Sequence, residues 1–140
     1  MTAELTFIDT NILVYAHIVH DGDLRASQSR QLLKELWATE TGVLSTQVLQ
    51  EFYSVATRKT KLPRGTARQV VAKYAEWDPV RIDPLLIVLA SKLEEDHTVA
   101  FHDALIVEAA LRAGATKLLT EDMQHGRRFG NLLIENPFRP

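Results

Sequence analysis

Four short apolar runs punctuate the chain: "LTFI" at 5–8, "VLS" at 43–45, "ATKLLT" at 115–120 and "LLIE" at 132–135. The first and the last two offer little or no polar face to water, so they read as strands covered on both sides. Longer stretches with helical spacing lie between them. Short buried strands joined by helices predict an α/β fold: a three-layer α/β/α sandwich around a central, mainly parallel sheet. The 140 residues suffice for one domain, 1–140, with its own core. In such sheets ligands gather beyond the carboxyl ends of the strands, and functional side chains are sought there.

The helices are legible from spacing and punctuation. "NILVYA" starts a short helix after the first strand, with Thr10 or Asn11 as its cap. The polar stretch "HDGD" at 20–23 leads into a helix over roughly 24–38, with Leu32, Leu33, Leu36 and Trp37 on one face and Gly42 as its end. Thr46 is the expected cap of a helix running to about Thr60, and Pro63 with Gly65 marks the next break. Val70, Val71, Tyr74 and Trp77 form the apolar face of another helix, closed before Pro79, and "VRI" at 80–82 is a candidate third strand. Asp83 caps a helix with Pro84 at its first position. "DALIVEAALRAG" is a helix of about eleven residues ending at Gly114, a favoured C-cap residue.

Bulk properties narrow the class. A formal net charge of -2 gives no basic coat, although a local patch can still contact nucleic acid. There is no cysteine, which excludes disulfides and thiolate metal sites and fits a cytoplasmic location. Glu4 and Asp9 interrupt the apolar stretch that a secretory leader would need, and "LLIVLA" at 85–90 is too short to span a bilayer.

Four carboxylates collect at one expected edge. Asp9 follows the first strand, Asp122 lies just past the late strand, and Asp103 opens the helix that feeds that strand. Glu51 falls inside the apolar stripe of Val48, Phe52 and Val55, where an unpaired carboxylate is costly. Each has an ordinary explanation alone: a turn or cap for Asp9 and Asp122, helix N-terminal stabilisation for Asp103, an ion pair for Glu51. Together they point to a shared cation. Oxygen donors with no histidine or cysteine close by in the pattern suit Mg²⁺ or Mn²⁺. Such a site commonly serves phosphodiester hydrolysis. Thr120, two residues before Asp122, can position a water or a carboxylate through its hydroxyl.

The segments "FIDTNILVYA", "LSTQVLQEFYSVATRK", "DALIVEAALRAG" and "LLTED" resemble, in order and spacing, the signature segments of the PIN-domain ribonucleases. The likeness is greatest to the VapC toxins of bacterial toxin–antitoxin pairs. It implies acidic ligands at Asp9, Glu51, Asp103 and Asp122, with Asn11 as the asparagine of "DTN" and Thr120 as the hydroxyl residue before the last aspartate. It further implies a metal-dependent endoribonuclease acting on RNA, a homodimer, and silencing by a small antitoxin that reaches into the site. Promoter DNA would be bound only through the antitoxin complex. Two positions depart from the common pattern, His102 before Asp103 and His125 in "MQHGRRFG", and both bear on substrate choice.

Two basic patches can serve an RNA backbone: "RKTKLPRGTAR" at 58–68, which has no acidic residue, and the pair Arg127 and Arg128 near Asp122. Leu13, Val14, Ile18, Leu32, Leu33, Leu36 and Trp37 either face the sheet or form a groove for a partner helix. Three other readings fit part of the pattern. A receiver-like phosphoacceptor domain would want an acidic pair after the first strand and a lysine after the late one, whereas this chain has Asp9 alone and Lys117 at the strand's beginning. A PIN fold without activity is opposed by the complete acidic set. A free-standing PIN nuclease of RNA processing or decay differs from a toxin mainly in lacking an antitoxin.

Overall fold

Asp9 both ends the first strand and starts the first helix. In the computed structural model, which describes residues 3–18 and 22–140, β1 (Leu5–Ile8) leads directly into α1 (Thr10–His17). Asp9 keeps an extended backbone and its Oδ1 accepts from the Thr10 N–H at 2.7 Å, so Asp9 rather than Thr10 or Asn11 is the cap. His20 and Asp21 of the expected polar link lie outside the described residues.

Asp23 caps α2 (Leu24–Thr39), which closes at Glu40 in the left-handed region, φ 57°, rather than at Gly42. Gly42 instead opens β2 (Gly42–Val43), where a Cβ would stand 2.4 Å from the Trp77 ring. Only glycine permits that approach. Ser45, not Thr46, caps α3 (Thr46–Ser54), accepting from the Val48 N–H. The helix continues as a π-helical segment, Val55–Lys59, before α4 (Arg64–Ala75). The expected strand at 80–82 is reduced to one parallel bridge between Ser45 and Val80, with Thr46 N–H donating to Val80 O and Val80 N–H to Leu44 O at 2.9 Å each.

Asp83 and Pro84 start α5 (Pro84–His97) as expected, with Asp83 Oδ1 accepting from the Leu86 N–H at 2.9 Å. Then follow α6 (Phe101–Ala113), closed by Gly114 at φ 76°, and β3 (Ala115–Leu119). The polar loop after β3 contains a strand that the sequence pattern did not announce, β4 (Arg128–Phe129), paired with β5 (Leu132–Glu135).

The strand order is β2-β1-β3-β5-β4, parallel except for the last pair. Helix α1 packs on α2 and α3, α3 on α4, and α5 on α6, completing the α/β/α sandwich. Phe7, Ile8, Ile12, Leu13, Phe52, Ile106, Leu118 and Ile134 are wholly buried in the core. Among the described residues, no helix is long and apolar enough to cross a membrane.

The proposed partner groove resolves as core. Leu13, Leu33 and Leu36 are buried, and Val14, Ile18, Leu32 and Trp37 pack against that core. Trp37 and Trp77 join Tyr74 in an aromatic cluster, with ring centroids 5.1–5.6 Å apart. Among the described residues, four exposed large apolar side chains cluster on α5, Leu85, Ile87, Val88 and Leu89, while Leu24 and Leu111 are exposed elsewhere.

Candidate functional site

The register of two neighbouring strands sets the site. Ile8 pairs with Leu119, so Asp9 and Thr120 leave β1 and β3 side by side, with Asp9 N–H donating to Leu119 O at 3.0 Å. The buried Thr120 hydroxyl donates to Asp9 Oδ2 at 2.9 Å and accepts from the Asp122 N–H at 3.1 Å. One hydroxyl thus ties Asp9 to the turn that carries Asp122. Asn11, in the first turn of α1, donates from Nδ2 to Asp122 Oδ2 at 3.0 Å. Its Oδ1 is buried and accepts no hydrogen bond.

Glu51 is held from three sides. Thr10 Oγ1 donates to Oε2 at 2.9 Å, Gln47 Nε2 donates to Oε1 at 3.2 Å, and His102 Nε2 lies 2.8 Å from the same Oε1. The inward-facing position on α3 is therefore partnered by polar groups, and a histidine does stand beside the carboxylates. This corrects the expectation of a site without imidazole. His125 is engaged elsewhere, its Nδ1 accepting from the Asn136 N–H at 2.9 Å.

The electrostatics join the four acids. Burial pushes the Asp9 carboxyl up to about 6; its bonds from Thr10 and Thr120 oppose this, and the charges of Glu51 and Asp122 add to it. The Asp103 carboxyl is raised first by desolvation, and also by Asp122 and Glu51, while His102 acts in the opposite direction. Asp9 senses two of the other acids, and Asp103 senses the same two. All four belong to one field.

The donor set fits a hard divalent cation: oxygen donors, mutual repulsion that a cation relieves, and an unused acceptor at Asn11. What the geometry lacks is closure. Among the described residues no three His, Asp or Glu side chains converge to hold an ion as they stand. The oxygens of Asp9, Glu51 and Asp122 are turned instead to Thr10, Thr120, Asn11, Gln47 and His102.

Several contributors escaped the sequence reading. Gln47, one turn before Glu51 on α3, carried a readable signal in its i, i+4 spacing. The support of the turn after β3 carried none. Tyr15 Oη donates to Glu121 Oε2 at 2.5 Å, and Arg25 Nη1 donates to Glu121 Oε1 at 2.9 Å. The Arg25 guanidinium also lies over the Tyr15 ring, 4.6 Å from its centroid. These contacts clamp the residue between Thr120 and Asp122 to α1 and α2.

Arg127 is also fixed in place, its guanidinium over the Phe129 ring at 4.7 Å and donating to His97 O at 2.5 Å. With Asp103 and Asp122 it lines a small cleft of about 170 Å³. Arg128 and the basic side chains of 58–68 are exposed to solvent.

The family model for the PIN domain matches residues 6–128. No curated protein matches the sequence. Several solved structures share the fold. A toxin–antitoxin complex from Klebsiella pneumoniae aligns over 96% of this chain and 99% of its own, with TM-score 0.70 and 14% identity. VapBC2 from Rickettsia felis, bound to a DNA fragment from its promoter, covers 94% of this chain and 98% of its own, with TM-score 0.64 and 20% identity. VapC20 from Mycobacterium tuberculosis, a Sarcin-Ricin loop cleaving toxin, covers 81% and 86%, with TM-score 0.62 and 20% identity. At such identities the likeness is one of fold. The family match spans most of the sequence and includes all four acidic residues: the chain belongs to the PIN-domain family.

Proposed function

We propose that this chain is a metal-dependent endoribonuclease that hydrolyses RNA phosphodiester bonds, the toxin of a type II toxin–antitoxin pair. The observation that carries the reading is the electrostatic coupling of Asp9 and Asp103 to Glu51 and Asp122 at the carboxyl edge of the sheet. Asp9, Glu51, Asp103 and Asp122 would hold Mg²⁺ or Mn²⁺. When bound, the cation supplies an acidified water and charge neutralisation at the leaving oxygen.

The protein's own groups prepare the site. Thr120 fixes Asp9 Oδ2, and Asn11 fixes Asp122 Oδ2, so both carboxylates keep one orientation. Arg127, held by Phe129 and His97 beside Asp103 and Asp122, offers a preordered positive contact for an RNA phosphate. Arg128 and the exposed basic run at 58–68 supply weaker, more distant attraction.

The same chemistry would suit an antitoxin partner. A basic side chain delivered to Asp9 and Asp103 would occupy the carboxylates that the cation needs, so inhibition and metal binding exclude one another. The relatives from Klebsiella pneumoniae and Rickettsia felis, described as a toxin–antitoxin complex and as VapBC2 on promoter DNA, support this partner class. Promoter DNA would be engaged through that complex. The exposed apolar face of α5 supports a homodimer.

The test is cleavage of labelled RNA by purified, partner-free protein with Mg²⁺, with Mn²⁺ or with EDTA, beside Asp103→Asn. Cleavage restricted to the metal-containing reactions and lost in the variant is expected. Equal cleavage in EDTA overturns the metal-dependent reading.

A further inference from the structure

Resting on the metal-dependent reading above, we propose that Gln47 and His102 form a latch on Glu51 that competes with a divalent cation for that carboxylate. The latch sets the cation affinity of the site. It joins α3 to the first turn of α6. Gln47 is buried, and its Nε2 donates to Glu51 Oε1 and to the His102 carbonyl, each at 3.2 Å. The same Nε2 lies 3.4 Å from His102 Nδ1.

These contacts orient the ring. An amide nitrogen only donates, so in a neutral ring held by both contacts Nδ1 accepts from Gln47 and the proton is on Nε2. That proton points at Glu51 Oε1, 2.8 Å away. The Nε2–H donor is present in the neutral ring and in the imidazolium alike, so the latch does not depend on a change of charge.

The occupancy of the carboxylate gives the competition. An ionised carboxylate has about four lone-pair sites. Glu51 Oε1 faces two donors, Gln47 and His102, and Oε2 receives Thr10. Both positions on Oε1 are taken, so a cation that binds Glu51 through Oε1, alone or together with Oε2, must displace the imidazole or the Gln47 amide. Consistently, no three acidic or imidazole side chains converge as they stand among the described residues.

The latch is also built to open. The His102 side chain is 58% exposed and can swing into solvent. Gln47 Nε2 divides two hydrogens among three acceptors while its own Oε1 is buried without a partner. Withdrawal of Glu51 relieves that imbalance, because the amide then has only the His102 side to satisfy.

The experiment titrates the partner-free full chain with Mn²⁺ at one fixed pH, following the electron paramagnetic resonance signal of the free ion. The parent is compared with His102→Ala, His102→Phe and His102→Gln, and each is melted in EDTA as a check on folding. Removing the N–H donor, by either Ala or Phe, is expected to tighten Mn²⁺ binding roughly tenfold. His102→Gln keeps a donor and stays near the parent, which a merely structural role for the ring would not produce. Parent-like melting with unchanged or weaker Mn²⁺ binding in both donor-less variants overturns the latch alone. Absence of Mn²⁺ binding by parent and variants alike overturns the metal reading, and the latch with it.

Discussion

The Thr120 hydroxyl donates to Asp9 Oδ2 across the β1–β3 boundary, joining residues 111 positions apart in sequence. It also accepts from the Asp122 N–H, so this single oxygen connects two of the four acids. Thr120→Val keeps the shape and removes both bonds, leaving a buried carboxylate short of a donor. A loss of about 1–3 kcal/mol in stability is expected, together with a marked fall in RNA cleavage. Thr120→Ser retains the hydroxyl and is expected to recover most of both. Urea melts in EDTA and single-turnover cleavage measure the two effects; a Val variant equal to the parent in both removes Thr120 from the site.

Asp9 illustrates how function and stability oppose each other. Its carboxyl is 5% exposed, sits near Glu51 and Asp122, and is pushed up to about 6 by burial. At neutral pH the folded, metal-free protein must hold this charge against desolvation. Asp9→Asn removes the charge and keeps an N-cap residue for the Thr10 N–H. The variant is expected to be more stable than the parent in EDTA by about 1–3 kcal/mol, and to have lost RNA cleavage. A melt well below the parent's would show that the carboxylate is a structural cap.

The parts of this site that could be read from sequence are those fixed by strand ends. A parallel sheet delivers every strand terminus to one edge, so Asp9, Thr120 and Asp122 had to assemble once "LTFI" and "ATKLLT" were strands. Caps were missed by one residue at Asp9 and Ser45, because cap-forming residues stand in sequence there and backbone angles decide between them. Glu51 was legible as an inward carboxylate, but its partner His102 was not. A contact between α3 and α6 leaves no periodicity in either segment. The Tyr15–Glu121–Arg25 clamp was invisible for the same reason.

Acid sensitivity has an identifiable contributor at the end of α1. His17 lies 2.8 Å, Nε2 to Oη, from the Tyr74 hydroxyl and edge-on to the Phe52 ring. Burial first, then the charges of Lys73 and Arg30, lower its pKa from 6.5 to about 4. The unfolded chain therefore binds this proton below about 6.5 while the folded chain refuses it until about 4. Stability from this group is present above 6.5 and is lost as the pH falls through that window. His17→Gln keeps a polar contact to Tyr74 and cannot titrate. Urea melts between pH 7.5 and 4.5 are expected to show a shallower loss in the variant than in the parent. Parallel profiles would assign the acid sensitivity to other groups.

Helix α5 carries a cluster of large apolar side chains left in solvent. Leu85 is 61% exposed, Val88 64% and Leu89 41%, and their i, i+3, i+4 spacing puts them on one face. A contiguous apolar face of this kind marks an interaction surface more often than a free one, and a second copy of the chain is the occupant expected here. Leu85→Glu with Val88→Lys places opposite charges on that face while leaving the buried Leu86 and Ala90 side untouched. Substitutions at exposed positions usually shift stability by within about 0.5 kcal/mol, so the fold should hold. Light scattering after size exclusion is expected to give a dimer for the parent and a monomer for the double variant, with the variant still melting cooperatively in EDTA. A parent that is monomeric throughout the micromolar range rejects the homodimer. A variant that stays dimeric moves the interface to another face.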